Sequence, residues 1–152
     1  MTGWRIGYVL ALPEIIDGIV KLQSHSTSNP TSVSQKAALE ALSGPQESVG
    51  VMLAEYARRR KFVLERLRAI PGVKCAEPGG TFYAYPNISA AFGRGGIRDS
   101  VDFSARLLEK AHVAVTPGEA FGTAEHVRIS YATSMEQLDK GLKRIHEFMA
   151  SL

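Results

Sequence analysis

A mixed α/β fold is what this sequence predicts, and three observations predict it. Long segments place apolar residues three and four apart, as one helix face requires; Val49, Leu53, Tyr56, Val63, Leu64 and Leu67 are the clearest example. Between such segments lie short runs rich in β-branched and aromatic residues, such as residues 81–85 and 126–131. Capping and stop residues fall at the junctions, so helices and strands interleave along the chain instead of segregating into blocks.

Taken in order, residues 4–11 (WRIGYVLA) read as a strand that would be buried in a sheet, yet the chain offers it no evident neighbour. Pro13 and Glu14 open a helix to residue 24, because proline suits a first turn whose N–H groups have no partner and an acid suits its positive end. The segment TSNPTS, residues 27–32, breaks it. A second helix, 32–42, stops at Ser43-Gly44-Pro45, and a long third one, 45–69, halts at Pro71-Gly72. Strands are expected at 73–76 and 81–85, on either side of EPGG. Residues 99–111 form an amphipathic helix through Val101, Phe103, Leu107 and Leu108, with Asp99 and Asp102 at its amino end. Residues 113–116 and 126–131 read as strands. A last amphipathic helix, 134–149, carries Ser134 as its cap with Gln137 three positions on.

Composition narrows the function classes. The chain has 152 residues, 45% hydrophobic and 22% charged, enough for a real core and ordinary for a globular protein. No stretch approaches the roughly 20 apolar residues of a membrane span, and the start lacks the pattern of a signal peptide, so a cytoplasmic location is expected. The lone Cys75 has no partner for an internal disulfide or a shared metal, and His25, His112, His126 and His146 are scattered without ligand spacing; no metal site is expected. The net charge of +3 and the run RRRK at 58–61 raise nucleic acid as a partner. That run sits on the wet face of the long helix, without aromatic stacking platforms or a recognition module, so no nucleic-acid partner is expected. FGRGGIRDS, residues 92–100, is glycine-rich and basic but matches neither phosphate-loop spacing.

Five blocks carry a resemblance. MTGWRIGY (1–8), SNPTSVSQKAALEAL (28–42), PGGTFYAYP (78–86), VAVTPGEAFG (113–122) and VRISYATS (127–134) resemble successive blocks of the carboxy-terminal part of pyridoxal-phosphate aminotransferases. The similarity is to the aspartate aminotransferase family, its bacterial subgroup, and it covers essentially the whole chain. It implies a piece of the fold type I architecture: residues 1–44 as the end of the large cofactor domain, 45–152 as the linking helix and small α/β domain. It also implies transfer of an amino group between an amino acid, aspartate or a related one, and a 2-oxo acid, in a homodimer.

The same resemblance implies residue roles. Arg5 would contact the cofactor phosphate and Arg128 would clamp the substrate α-carboxylate; a guanidinium fork suits both multi-oxygen anions. Gly80 and Phe82 would lie at the substrate entrance, where the small residue allows close approach and the ring excludes water. Ser28 and Asn29 would reach the dimer interface. The Schiff-base lysine of the family would fall upstream of Met1, and no lysine of the chain, Lys36 included, occupies a setting that would depress its pKa for that task. The alternative reading is a non-catalytic α/β fragment or interaction domain that lacks this lysine.

Overall fold

The computed structural model describes residues 1–152 and divides them into two units, Met1–Gly50 and Val51–Leu152. In the first, Pro13 supplies the first residue of α1 (Pro13–Ser26), which runs until the TSNP turn, where Ser28 adopts φ 65°. α2 (Ser32–Ser43) follows. Its buried Ser34 donates its hydroxyl to the Trp4 carbonyl at 2.9 Å, tying the opening segment to the helix.

That opening segment is not the expected strand. Residues Thr2–Trp4 form a 3-10 turn closed by Arg5 in the left-handed region, φ 51°, and residues 6–12 carry no regular structure. The reason is physical: strand-like composition supplies side chains, but a strand exists only when backbone groups pair across a ladder, and no partner is present for this one.

α3 (Glu47–Arg68) begins just before the division between the units. Its helical period is as expected, but only the end of the apolar stripe is buried: Val63, Leu64 and Leu67 enter the core, whereas Val49 and Leu53 face solvent. The second unit is built on a three-stranded antiparallel sheet in the order β1 (Tyr83–Ala84), β3 (Val127–Ser130), β2 (Thr116–Pro117). Tyr83 pairs with Ser130 and Ala84 with Ile129 on one side of β3; Thr116 pairs with Arg128 and Pro117 with Val127 on the other. The strands are shorter than the sequence suggests. Residues 73–76 contribute only a bridge from Lys74 to Asn87, and the 81–85 run loses its start because Thr81 sits at φ 66° in a turn.

α4 (Ser100–Ala111) and α5 (Met135–Ser151) complete the unit. Both helices are capped: Asp99, read as an acid at the amino end of α4, accepts from the Asp102 amide at 2.8 Å, and Ser134, the expected cap of α5, from the Gln137 amide at 3.3 Å. Phe103 of α4 and Phe148 of α5 meet edge-on at 5.6 Å, and with Leu107, Leu142, Ile145 and Val127 they form a dry core. This core holds β3, and β3 carries Arg128.

Candidate functional site

Arg128 follows the buried Val127 on the central strand, so its backbone is fixed by neighbours on both sides. Residues two apart on a strand share a face, which puts Arg128 on the side of Ser130 and of Tyr83, the residue paired with Ser130. The Arg128 Cζ lies 4.4 Å from the centre of the Tyr83 ring and 4.5 Å from that of Phe121. The guanidinium is thus held against two rings. It forms no ion pair and donates no side-chain hydrogen bond to any other residue, and it is only half exposed. A cation in that state has its N–H donors available for an anion, and a planar fork favours one that accepts two parallel bonds, as a carboxylate does.

Both rings are themselves anchored. The turn before Tyr83 is tied down by Tyr131: its hydroxyl donates to the Thr81 carbonyl at 2.9 Å and its amide to the Phe82 carbonyl at 2.9 Å, while the Tyr83 amide donates to the Thr81 hydroxyl at 3.1 Å. Burial pushes the Tyr131 hydroxyl up from its ordinary pKa, so it remains a donor throughout the neutral range. Phe121 comes from the 3-10 turn Gly118–Phe121, closed by Gly122 at φ 85°. Gly118 is buried, and a Cβ there would run into the carbonyls of Thr123 and His126. Its amide donates to His126 O at 2.9 Å and to the buried Ser100 hydroxyl at 2.8 Å, and that hydroxyl donates in turn to Glu119. The Tyr85 hydroxyl adds a bond to the Gly118 carbonyl at 3.3 Å and one shared with Thr123.

The other sequence-derived candidates lie as follows. Phe82 is half-buried, 4.5 Å centre to centre from Tyr83 and 6.1 Å from Tyr56, so it backs one wall of the Arg128 site. Gly80 is exposed and a Cβ there would meet nothing within 4 Å. In the first unit, Arg5 is exposed; it donates only to the Thr2 carbonyl, at 3.3 Å, and forms no ion pair. Ser28 and Asn29 are exposed at the turn after α1. All lysines are exposed, Lys36 among them. Tyr83 and Phe121 escaped the sequence reading. Phe121 had a signal, since a glycine on either side of Glu119-Ala120-Phe121 marks a tight turn that thrusts a ring outward; Tyr83 meets Arg128 only through a register that sequence does not display.

A family model described as aminotransferase class I and II matches residues 1–145. The chain belongs to that family. Among its relatives, the aspartate aminotransferase of Geobacillus stearothermophilus is 48% identical over 149 residues, which are 98% of this chain and 38% of that protein. The aspartate/prephenate aminotransferase of Cereibacter sphaeroides is also 48% identical, over 100% of this chain and 39% of its own. The crystal structure of aspartate aminotransferase from Rhizobium meliloti superposes with a TM-score of 0.86 at 43% identity, covering 99% of this chain and 39% of that one. An aromatic aminotransferase from Pyrococcus horikoshii gives 0.85 at 40% identity, covering 99% and 40%. The chain therefore spans about 38% of the length of the curated relatives it matches, and it shares the α/β fold of the solved structures.

The family implies pyridoxal phosphate, and the residues present fit part of that group. Arg5 has guanidinium N–H donors left over after its single backbone bond, as a phosphate contact requires. The lysines are all exposed, so none offers the enclosed amine that the cofactor's covalent anchor requires.

Proposed function

We propose that this chain is the carboxy-terminal portion of a pyridoxal-phosphate aminotransferase acting on aspartate or a related amino acid and a 2-oxo acid. The observation that carries the reading is Arg128: a half-buried guanidinium, seated against Tyr83 and Phe121, with no acidic partner. Such a cation stabilises little by itself and gains most when an anion supplies the missing bonds. Family membership makes the α-carboxylate of an amino acid the natural anion.

In this reading the chain contributes binding and orientation. Arg128 receives the carboxylate edge-on and so fixes which substituent of the α-carbon points at the reacting group. Arg5 holds the cofactor phosphate. When bound, pyridoxal phosphate supplies the aldehyde that takes up the amino group and an electron-poor ring that accepts the electrons of the broken Cα–H bond. Phe82 and Gly80 form the substrate entrance, where an apolar ring excludes water and a small residue leaves room. Ser28 and Asn29 contribute to a homodimer interface, and the amine that anchors the cofactor comes from outside residues 1–152. A cytoplasmic location goes with this activity.

A chimaera tests the proposal. Residues 1–152 in place of the matching part of the Geobacillus stearothermophilus aspartate aminotransferase should yield an enzyme that transfers the amino group of aspartate to 2-oxoglutarate. Arg128→Lys in that chimaera should lower kcat/KM by about 2–4 kcal/mol while the cofactor stays bound. Arg5→Ala should do the reverse and lose cofactor on dialysis. A folded, cofactor-loaded chimaera whose kinetics ignore Arg128→Lys would refute the role of Arg128, and one that does not transaminate at all would favour a non-catalytic role.

A further inference from the structure

We propose that Tyr83 and Phe121 are positioning residues for Arg128: their rings grip the guanidinium and restrict it to edge-on presentation of its N–H groups, which sets how tightly a carboxylate is captured. The inference rests on the reading of Arg128 as a carboxylate holder and goes beyond it.

The argument begins from what an arginine side chain does when free. Several rotatable bonds let the guanidinium wander, and holding it in one place costs rotamer freedom. Arginines are usually immobilised by an acidic partner, but an acid at this position would occupy the donors that the substrate needs. Two rings solve the problem differently. At 4.4 and 4.5 Å from the Cζ, Tyr83 and Phe121 attract the cation through their π faces and use none of its N–H groups. The side chain is ordered before the anion arrives, so less of the binding energy is spent on ordering it.

The surroundings of both rings fit this role. Tyr83 is backed by Phe82 at 4.5 Å and by the turn that Tyr131 ties down. Phe121 is 45% exposed, and an exposed ring is mobile unless its backbone is fixed; here Gly118, Ser100, Glu119 and Tyr85 do the fixing. The Tyr85 ring also meets Phe121 edge-on at 6.1 Å. These bonds converge on a short surface turn whose one aromatic residue is the ring beside Arg128.

The test uses the 152-residue chain labelled with ¹⁵N-arginine, its side-chain resonances followed by NMR, and 2-oxoglutarate as the probe. Arg128 side-chain protons should lie upfield in the free protein, because they sit over ring faces. Tyr83→Leu and Phe121→Leu should each remove part of that displacement and weaken the Arg128 response to 2-oxoglutarate about three- to thirtyfold. Tyr83→Phe and Phe121→Tyr keep a ring and should restore both, which separates a lost grip from a damaged fold. An Arg128 spectrum without upfield protons overturns the grip. Equal 2-oxoglutarate affinity in the parent and both leucine variants overturns the positioning role but leaves the carboxylate reading standing. Upfield protons with no response to 2-oxoglutarate in the parent overturn the carboxylate reading and, with it, the role of the rings.

Discussion

Residues 1–50 and residues 51–152 use apolar side chains in opposite ways. In the second unit Val63, Ile97 and Leu107 have no exposure at all and Phe103 has 1%, whereas in the first Leu10 is 89% exposed, Tyr8 76% and Leu22 74%. The only buried residue of the first unit is a serine, Ser34. Each buried aliphatic or aromatic side chain is worth about 1.5–3 kcal/mol relative to exposure, so the second unit has the means to hold its fold and the first gains almost nothing from its apolar content. Composition alone does not predict this difference, since both stretches carry abundant apolar residues. What separates them is whether the chain itself provides a second layer: α3, α4 and α5 cover the sheet in the second unit, whereas nothing within 1–50 buries the apolar side chains of residues 4–12.

The largest test of this contrast compares one substitution from each unit. Phe103→Ala empties a site at the junction of α4 and α5 and should cost about 3–5 kcal/mol. Leu10→Ala removes a side chain that touches mainly water and should fall within about 0.5 kcal/mol. Urea denaturation followed by the far-ultraviolet signal measures both. A Leu10→Ala cost comparable to that of Phe103→Ala would mean that residues 4–12 are buried in solution, and the contrast would collapse.

A smaller effect sharpens the comparison inside the second unit, between its core and the turn it supports. Gly118→Ala puts a methyl group against the carbonyls of Thr123 and His126, so the turn must open. Overpacking of this kind costs about 1–3 kcal/mol. Because Phe121 rides on that turn, the variant should also lose the Phe121 contact to Arg128 while α4 and α5 remain packed. Thermal melting reads the first consequence and the arginine side-chain NMR signals the second; the expected drop in stability with the Arg128 signals unmoved would show that the turn does not serve the site.

The same contrast explains which parts were legible in advance. Asp99 and Ser134 announce helix starts because capping is a local affair, decided within three or four residues, and both bonds form. The order of the sequence blocks singles out Arg128, and the structure places it on the central strand. Residues 4–11 were misread because their composition reports only half of what makes a strand, the other half being a partner elsewhere. Val49 and Leu53 belong to the apolar face that the spacing reveals yet stay exposed, for a related cause: periodicity finds the apolar face of a helix without saying whether anything packs on it. Tyr83 and Phe121 were missed since their meeting at Arg128 depends on the register of β1 with β3 and on a turn after β2, both non-local.

The smallest effect expected concerns the polar face of α3, where the run RRRK first raised the question of nucleic acid. Glu55 accepts from Arg58 Nε at 2.9 Å and from Arg59 Nε at 2.8 Å, and Arg60 donates to the Pro78 carbonyl at 3.0 Å. These arginines are therefore partly engaged within the chain, which suits a solvated helix face. Hydrogen bonds from Arg58 first, then Arg59, hold the Glu55 carboxyl at about 2, below its ordinary 4.5. A carboxylate whose pKa is depressed on folding stabilises the fold above its unfolded value, and that contribution fades as the pH drops from about 4.5 to about 2. Since the pair is open to water and i,i+3 in a helix, its effect on overall stability is minor and falls further in salt. The titration is the sensitive readout. Arg58→Gln should move the Glu55 midpoint upward, toward 4.5, when its side-chain carbon is followed by NMR from pH 6 down to pH 2. A midpoint that stays near 2 in that variant would assign the shift to Arg59 alone, and a parent midpoint near 4.5 would show that the arginines of this face point away from Glu55 in solution.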